Sequence, residues 1–99
     1  MTRLLWLAAA LGDLERIGDY LLARQPRAAA RITARLVNAA ESLAEFPGLG
    51  RPGRVIGTRE LVVTRTPYLI VYRVREQTVE ILAVLHAAQA WPDHFDPPA

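Results

Sequence analysis

The chain of 99 residues contains no cysteine and no lysine, and only 7% of its residues are aromatic. The lack of cysteine excludes disulfides and thiolate zinc sites, and it suits a reducing cytosol. No apolar run is long enough to span a membrane. The apolar start of the chain is followed at once by Asp13, Glu15 and Asp19, which leaves no room for a signal peptide. We therefore expect a cytoplasmic protein with no membrane association.

All twelve basic residues are arginines, and ten acidic residues reduce the net charge to +2. Codon usage in a GC-rich genome explains the arginine bias better than selection for phosphate binding, so we assign forked contacts only to single arginines. Apolar residues make up 52% of the chain, which is enough for one small core. We expect one domain over residues 1–92 and a flexible tail over residues 93–99, which are rich in proline and aspartate.

The first half of the chain reads as a short strand followed by two helices. Residues 2–6 favour a strand, and Leu11, Leu14, Ile17 and Leu21 recur at helical spacing. Proline is tolerated in the first turn of a helix but not in its interior, so Pro26 predicts that a second helix begins there. Its apolar positions are Ala29, Ile32, Leu36, Ala39 or Ala40, Leu43 and Phe46. The short break predicts an antiparallel helical hairpin.

The second half reads as three strands after a glycine-rich loop. Residues 47–54 hold three glycines and two prolines, and the strand-like segments 58–63, 67–74 and 78–86 follow. Short gaps between these segments predict antiparallel pairing. The expected fold is α+β with the order β-α-α-β-β-β, in which a helical hairpin packs on a curved antiparallel sheet.

The ordered set of segments resembles the RelE/ParE family of toxins. In the second half, the matching segments are Gly50–Arg54, Gly57–Val63, Thr66–Val74, Val79–Leu82, Val84–His86 and Gln89–Pro92. In the first half, they are Trp6, Asp13–Ile17, Tyr20–Leu21, Ala39–Leu43 and Phe46–Pro47. Two departures stand out: Ala87 replaces a glycine that often follows the histidine, and the turn Arg75–Thr78 lacks its usual glycine.

The resemblance implies the toxin of a type II toxin–antitoxin system, bound and neutralised by a cognate antitoxin. One branch of the family cleaves messenger RNA on the ribosome, whereas the ParE-like branch is described as poisoning DNA gyrase. The long helical hairpin and the end of the last strand, from His86 to Pro92, resemble the ParE-like branch. The resemblance thus favours a gyrase inhibitor, with a ribosome-dependent endoribonuclease as the alternative.

Ribonuclease activity would require an acid, a base and cations for the phosphorane charge. Arg59, Arg73 and His86 stand at comparable positions, but the lysines are missing and Ala87 occupies the place of a tyrosine. The catalytic set is therefore incomplete. We expect no cofactor and no metal, because His94 has only Asp93 and Asp96 near it in the sequence.

For a gyrase inhibitor, we expect target contacts from Arg51, Arg54, Arg59, His86 and Trp91. Arg59 has an equally good structural reading as the partner of Glu41 or Glu45. His86 is more simply read as a strand-end imidazole that bonds the loop at residues 51–57 or the segment at residues 89–91. The tyrosines of the central strand, Tyr68 and Tyr72, are expected to pack rather than to stack bases.

Overall fold

A computed structural model describes residues 2–88 of the chain. Two helices pack on a five-stranded sheet whose strand order is β1-β5-β4-β3-β2. The elements are β1 (Arg3–Trp6), α1 (Ala8–Arg24), α2 (Pro26–Glu45), β2 (Arg51–Pro52), β3 (Arg59–Val62), β4 (Tyr68–Arg75) and β5 (Thr78–His86). The predicted α+β fold with its helical hairpin is confirmed. Trp91 and the tail at residues 93–99 lie outside the described residues.

The helical hairpin turns at Gln25, which caps the end of α1 and the start of α2. Pro26 occupies the first turn of α2, where its missing N–H costs nothing. The buried stripe of α1 differs from the prediction in one position. Ala10 is buried, whereas Leu11 is 51% exposed. The helix turns about 100° per residue, so a stripe centred on Ala10, Leu14, Ile17 and Leu21 leaves Leu11 on the outer face.

Helix α2 buries the predicted apolar positions up to Leu43, and Ala40 rather than Ala39 is fully buried. The prediction for Phe46 was wrong, because α2 ends at Glu45 and Phe46 is its C-cap residue. With the helical period broken there, the Phe46 side chain turns outwards and is 59% exposed. Phe46 therefore belongs to the surface of the following loop.

The sheet is antiparallel except at one edge, where β1 pairs parallel with β5. The first strand of the chain thus lies beside the last one. The pairing of β4 with β5 shifts between Val71 and Tyr72, so that Leu82 is an extra residue in β5. Such a bulge bends the strand and increases its twist.

The two sheet faces carry separate apolar clusters. Tyr68, Ile70 and Tyr72 of β4 face the helices and belong to the main core, as predicted for packed tyrosines. A second, smaller cluster on the opposite face, which we call the open face, contains Leu69, Val71, Leu82 and Ala83. Because successive side chains of a strand alternate, Arg73 and Arg75 also point to the open face.

The turn between β4 and β5 lacks glycine, but its backbone adopts positive φ angles that glycine usually provides. Glu76 and Gln77 have φ angles of +50° and +62°. Two consecutive positive φ angles are typical of the tight turn that fits the twist of a two-residue hairpin. Residues with a Cβ atom pay a steric cost in this conformation, so other contacts must hold the turn.

Candidate target-binding surface

Residues 46–57, which we call the basic loop, connect α2 with β3 and are anchored by a buried tyrosine. The hydroxyl of Tyr72 donates a hydrogen bond to the carbonyl oxygen of Pro47 (2.8 Å) and accepts one from the N–H of Gly50 (2.8 Å). Burial raises the pKa of Tyr72, so the hydroxyl keeps its proton for the bond to Pro47. The basic loop is therefore fixed to the centre of the sheet.

Arg59 acts on the same loop and not on the helices. Its Nη1 donates to the carbonyl oxygens of Gly50 (2.7 Å) and Gly48 (3.5 Å). The alternative partners considered from the sequence were Glu41 and Glu45. The pairing with these residues was wrong, because Arg59 lies at the start of β3, where loop carbonyls are closer than the helix carboxylates. Its guanidinium is half-buried beneath the basic loop.

Glu60 anchors the other half of the basic loop from the open face. Its carboxylate accepts the backbone N–H of Arg54 (3.0 Å) and pairs with the guanidinium of Arg51 (3.3 Å). The Glu60 side chain is 3% exposed and that of Arg51 is 63% exposed. One carboxylate thus orders the backbone at Arg54 and orients Arg51, whose charge stays in contact with solvent.

Arg73 has a different partner from the other predicted site residues. Its Nε lies 2.5 Å from a carboxylate oxygen of Glu80, and Arg75 approaches the same carboxylate at 3.3 Å. The hydrogen bond from Arg73 is the main reason that the pKa of Glu80 is lowered. The side chains of Arg73 and Glu80 are nearly buried, so this guanidinium is a structural cation of the hairpin.

His86 lies at the far end of the sheet, next to Tyr68. The two rings meet edge to face, with centroids 5.5 Å apart. The Nδ1 of His86 accepts the N–H of Ala88 (3.1 Å). Among the described residues, His86 makes no contact with the 51–57 loop, because β4 lies between β5 and the strand that follows this loop. The other expected partner, the segment at residues 89–91, lies outside the described residues. His86 instead lines a cleft of about 810 Å³ that opens between α1 and the end of β5, with Arg16 and Tyr20 on its helical wall.

The three residues of the possible ribonuclease set are not brought together. Arg59 pairs with Tyr72 of β4, whereas His86 pairs with Tyr68, four residues earlier in the same strand. This separation corresponds to about 13 Å along β4, before the width of the sheet is added. Arg73 points to the opposite sheet face. By contrast, Arg51, Arg54 and Arg59 all belong to the basic loop or contact it.

Residues 2–88 contain no group of three or more histidine or acidic side chains that could hold a metal ion. Neither α1 nor α2 is long and apolar enough to cross a membrane.

Sequence reasoning missed Glu60, Tyr72 and Glu80 as the residues that organise this surface. Alternation along β3 places Glu60 on the face opposite Arg59 and Leu61, but it does not indicate that Glu60 is buried. The partners of these residues lie on other strands or in the loop, so no local pattern indicates them. The glycines of the loop are the one local signal of close packing, because Gly50 lies against the hydroxyl end of the Tyr72 side chain.

Comparison with known proteins identifies the family to which the chain belongs. Residues 4–91 match the family described as the ParE toxin of the type II toxin–antitoxin system parDE. The chain belongs to this ParE toxin family. Among its relatives are Y4kP of Sinorhizobium fredii, 50% identical over 90 residues, and the toxin RelE2 of Caulobacter vibrioides, 44% identical over 89 residues. These alignments cover 91% and 90% of this chain, and 93% and 99% of the two relatives.

Solved structures of ParE and RelE type have the same fold. The chromosomal ParDE toxin–antitoxin system of P. aeruginosa contains a chain that superposes with a TM-score of 0.77 at 30% identity, covering 85% of this chain and 94% of that one. A chain of the RelBE2 toxin–antitoxin complex of Mycobacterium tuberculosis gives 0.63 at 28% identity, covering 86% and 96%. The resemblance inferred from the sequence to RelE/ParE toxins is thereby confirmed.

Proposed function

We propose that this ParE-family toxin inhibits DNA gyrase by binding it, and that a cognate antitoxin neutralises the toxin. The observation that carries the gyrase proposal is the separation of Arg59, Arg73 and His86 over two faces and both halves of the sheet. A ribonuclease must gather an acid, a base and cations around one phosphate. An inhibitor that acts by binding needs a surface and no such assembly.

The charges of the described residues also favour a protein target. Clustered cations are the usual way to hold a nucleic acid, since each contacted phosphate releases counterions. Here Arg73 and Arg75 share Glu80, Arg51 shares Glu60, and Arg16 pairs with Asp13. Four of the twelve arginines therefore pair with carboxylates within the described part of the chain. We propose target contacts from Arg51, Arg54, Arg59 and His86, together with Trp91, which lies outside the described residues.

The antitoxin proposal rests on the family and on an uncovered apolar surface. The outer sides of α1 and α2 border a groove of about 750 Å³, whose lining includes Leu11, Leu14, Leu22 and Val37. Leu11 and Leu22 are 51% and 61% exposed. An amphipathic segment of the antitoxin that folds on binding would cover this groove.

Co-expression with the neighbouring antitoxin gene should restore growth and yield a complex that co-purifies; failure to co-purify would count against the pairing.

The gyrase proposal is tested by a time course after induction and by assays with purified protein. Supercoiling by gyrase should be blocked and DNA-damage signalling induced, while translation fails only later. If incorporation of labelled methionine collapses within minutes and purified gyrase is unaffected, the ribosome-dependent endoribonuclease replaces the gyrase inhibitor. That alternative is kept because relatives named RelE share both sequence and fold.

Substitution of His86 separates the two mechanisms further. Loss of a general acid or base costs about 10²- to 10⁴-fold in rate. For a binding contact at the rim of the target surface, we expect His86→Ala to lower toxicity by about tenfold or less. A loss of several orders of magnitude, with the circular dichroism spectrum unchanged, would support the ribonuclease.

A further inference from the structure

Ile56, at the tip of the basic loop, is the most exposed large apolar side chain among the described residues. Its relative exposure is 100%, whereas the other exposed large apolar side chains range from 43% to 61%. Complete burial of an isoleucine side chain is worth enough free energy to change an affinity about 10- to 100-fold. In the free protein, Ile56 contributes none of this to folding, so all of it is available for binding.

The loop tip is ordered by hydrogen bonds that do not involve the Ile56 side chain. The N–H of Gly53 donates to the carbonyl of Thr58 (2.8 Å). The carbonyl of Val55 accepts both the N–H (3.1 Å) and the hydroxyl (2.6 Å) of Thr58. Gly57 has a φ angle of +86°, which closes the turn directly after Ile56. A preformed loop presents its apolar tip without a further ordering cost on binding.

The surroundings of Ile56 specify the chemistry of its partner. Residues 46–57 contain two arginines, Arg51 and Arg54, and no acidic residue. Arg51 pairs with Glu60, but its side chain is 63% exposed whereas that of Glu60 is 3% exposed, so the guanidinium is the charge that faces solvent. The loop also carries Phe46 and Leu49, which are 59% and 56% exposed. An apolar tip on a loop that carries two arginines complements an apolar pocket with an acidic rim. A phosphate backbone offers no apolar pocket, so a protein partner fits this surface better than a nucleic acid.

We propose that Ile56 is the anchor of target recognition and that it enters an apolar pocket with an acidic rim on the target protein. This inference deepens the proposed function, on which it rests in assigning the basic loop to the target and not to the antitoxin. The contact leaves the outer helical groove to the antitoxin. Toxicity and antitoxin binding should therefore respond separately to changes at Ile56.

The first experiment compares Ile56→Thr with the matched variant Val74→Thr, which also removes apolar surface from an exposed β-branched residue. Toxicity after induction and antitoxin affinity are measured for both full-length variants. We expect Ile56→Thr to lower toxicity about tenfold or more, with antitoxin affinity within twofold of wild type. Val74→Thr should change neither quantity. Unchanged toxicity of Ile56→Thr overturns the proposal, and so does a parallel loss of antitoxin affinity.

A second pair of variants tests the acidic rim. Ile56→Glu should be at least tenfold less toxic than Ile56→Lys, because the glutamate adds repulsion whereas the lysine adds attraction. Equal toxicity of the two variants overturns the acidic rim, and retention of duplex DNA by the wild type but not by Ile56→Thr overturns the protein partner. These readouts do not require gyrase. If purified gyrase resists the wild type, the gyrase proposal fails, while the Ile56 anchor is still decided by toxicity.

Discussion

The basic loop and the β4–β5 turn both lie beside a buried glutamate, but their backbones are held in opposite ways. The basic loop uses glycine where space is absent: a Cβ atom on Gly50 would lie 2.7 Å from the Tyr72 ring and 2.9 Å from the Glu60 carbonyl oxygen. The turn has positive φ angles at Glu76 and Gln77 without any glycine. Close packing and hydrogen bonds to its main chain therefore fix the loop. In the turn, contacts between side chains must act against the backbone preference.

The two glutamates differ accordingly in what they hold. Glu60 accepts a backbone N–H from the loop and one exposed arginine. Glu80 binds the side chains of Arg73 and Arg75, which lie on the neighbouring strand close to the turn. The comparison shows two roles for a buried carboxylate. Glu60 orders a surface loop by accepting a main-chain N–H, whereas Glu80 stabilises a pair of strands by binding arginine side chains. The first arrangement shapes the loop that we propose as the target-binding surface.

The largest effect is expected from Gly50→Ala. The added methyl group meets a buried ring and a backbone carbonyl, neither of which can move freely, so the free energy of unfolding should fall by about 3 kcal/mol. Urea denaturation followed by circular dichroism measures this change. Gly48→Ala is the matched control in the same loop, because nothing lies within 4 Å of its Cβ position. Equal effects of the two variants would show that packing does not fix the loop.

The second prediction removes the charge of Glu80 with Glu80→Gln. Arg73, whose side chain is 13% exposed, would keep its charge without a carboxylate partner. We expect a loss of about 2 kcal/mol in the free energy of unfolding at neutral pH. A loss below about 0.5 kcal/mol would mean that the ion cluster does not hold the turn.

The pH profile of the same variant checks the cause. The pKa of Glu80 is lowered below its ordinary value of 4.5, chiefly by the hydrogen bond from Arg73. A carboxyl group with a lowered folded-state pKa stabilises the protein above the unfolded value, and this contribution is lost as the pH falls through the folded value. The stability difference between wild type and Glu80→Gln should therefore be largest at neutral pH and shrink below pH 4.5.

The third prediction concerns Tyr72→Phe, which keeps the ring but removes the hydroxyl. The N–H of Gly50 and the carbonyl of Pro47 would lose their shared partner, at a cost of about 1–2 kcal/mol. Tyr20→Phe, on a tyrosine that is 52% exposed, is the control and should change stability little. Amide hydrogen exchange at Gly50 should also accelerate in Tyr72→Phe. An unchanged exchange rate at Gly50 would argue against a role of the Tyr72 hydroxyl in holding the basic loop.

The smallest expected effect is an increase in stability, caused by Gln77→Gly. Gln77→Gly relieves the steric cost of a φ angle of +62°, and we expect the free energy of unfolding to rise by about 0.5–1 kcal/mol. Gln77→Ala retains the Cβ atom and should give no gain. If glycine destabilises the protein, the turn is not strained and the contrast between the two connections disappears.

Much of the fold could be predicted because its local signals are strong. Pro26 marked the start of α2 correctly, and apolar periodicity placed most of the helical core. Leu11 was misplaced because a spacing of three or four residues allows two neighbouring stripes, and only the sheet beneath selects one. Phe46 was misplaced because α2 ends one residue before it. The parallel pairing of β1 and the extra residue Leu82 depend on contacts between distant segments, which periodicity does not report.

The surface was harder to predict than the fold. Glycines and arginines placed the basic loop, but the partner of each arginine depends on which strands are neighbours. Glu60 and Glu80 resemble ordinary solvent-facing residues in a strand pattern, yet both are buried. The exposure of Ile56 was not predicted either, because an apolar residue between Val55 and Gly57 does not by itself indicate on which side of a loop it lies.

The parallel pairing of β1 with β5 determines when the sheet can be completed during synthesis of the chain. Strand β1 pairs through Arg3–Trp6 with Thr78–Ile81 of β5. The first strand to be synthesised therefore has no neighbour until the last strand has been made. During translation, β4 also lacks β5, which lies between β1 and β4 in the finished sheet. A chain that ends before residue 78 would thus leave β1 without a neighbour and β4 paired only with β3. Because such a fragment exposes unpaired strand edges, we expect it to be degraded rather than to fold into a partial toxin.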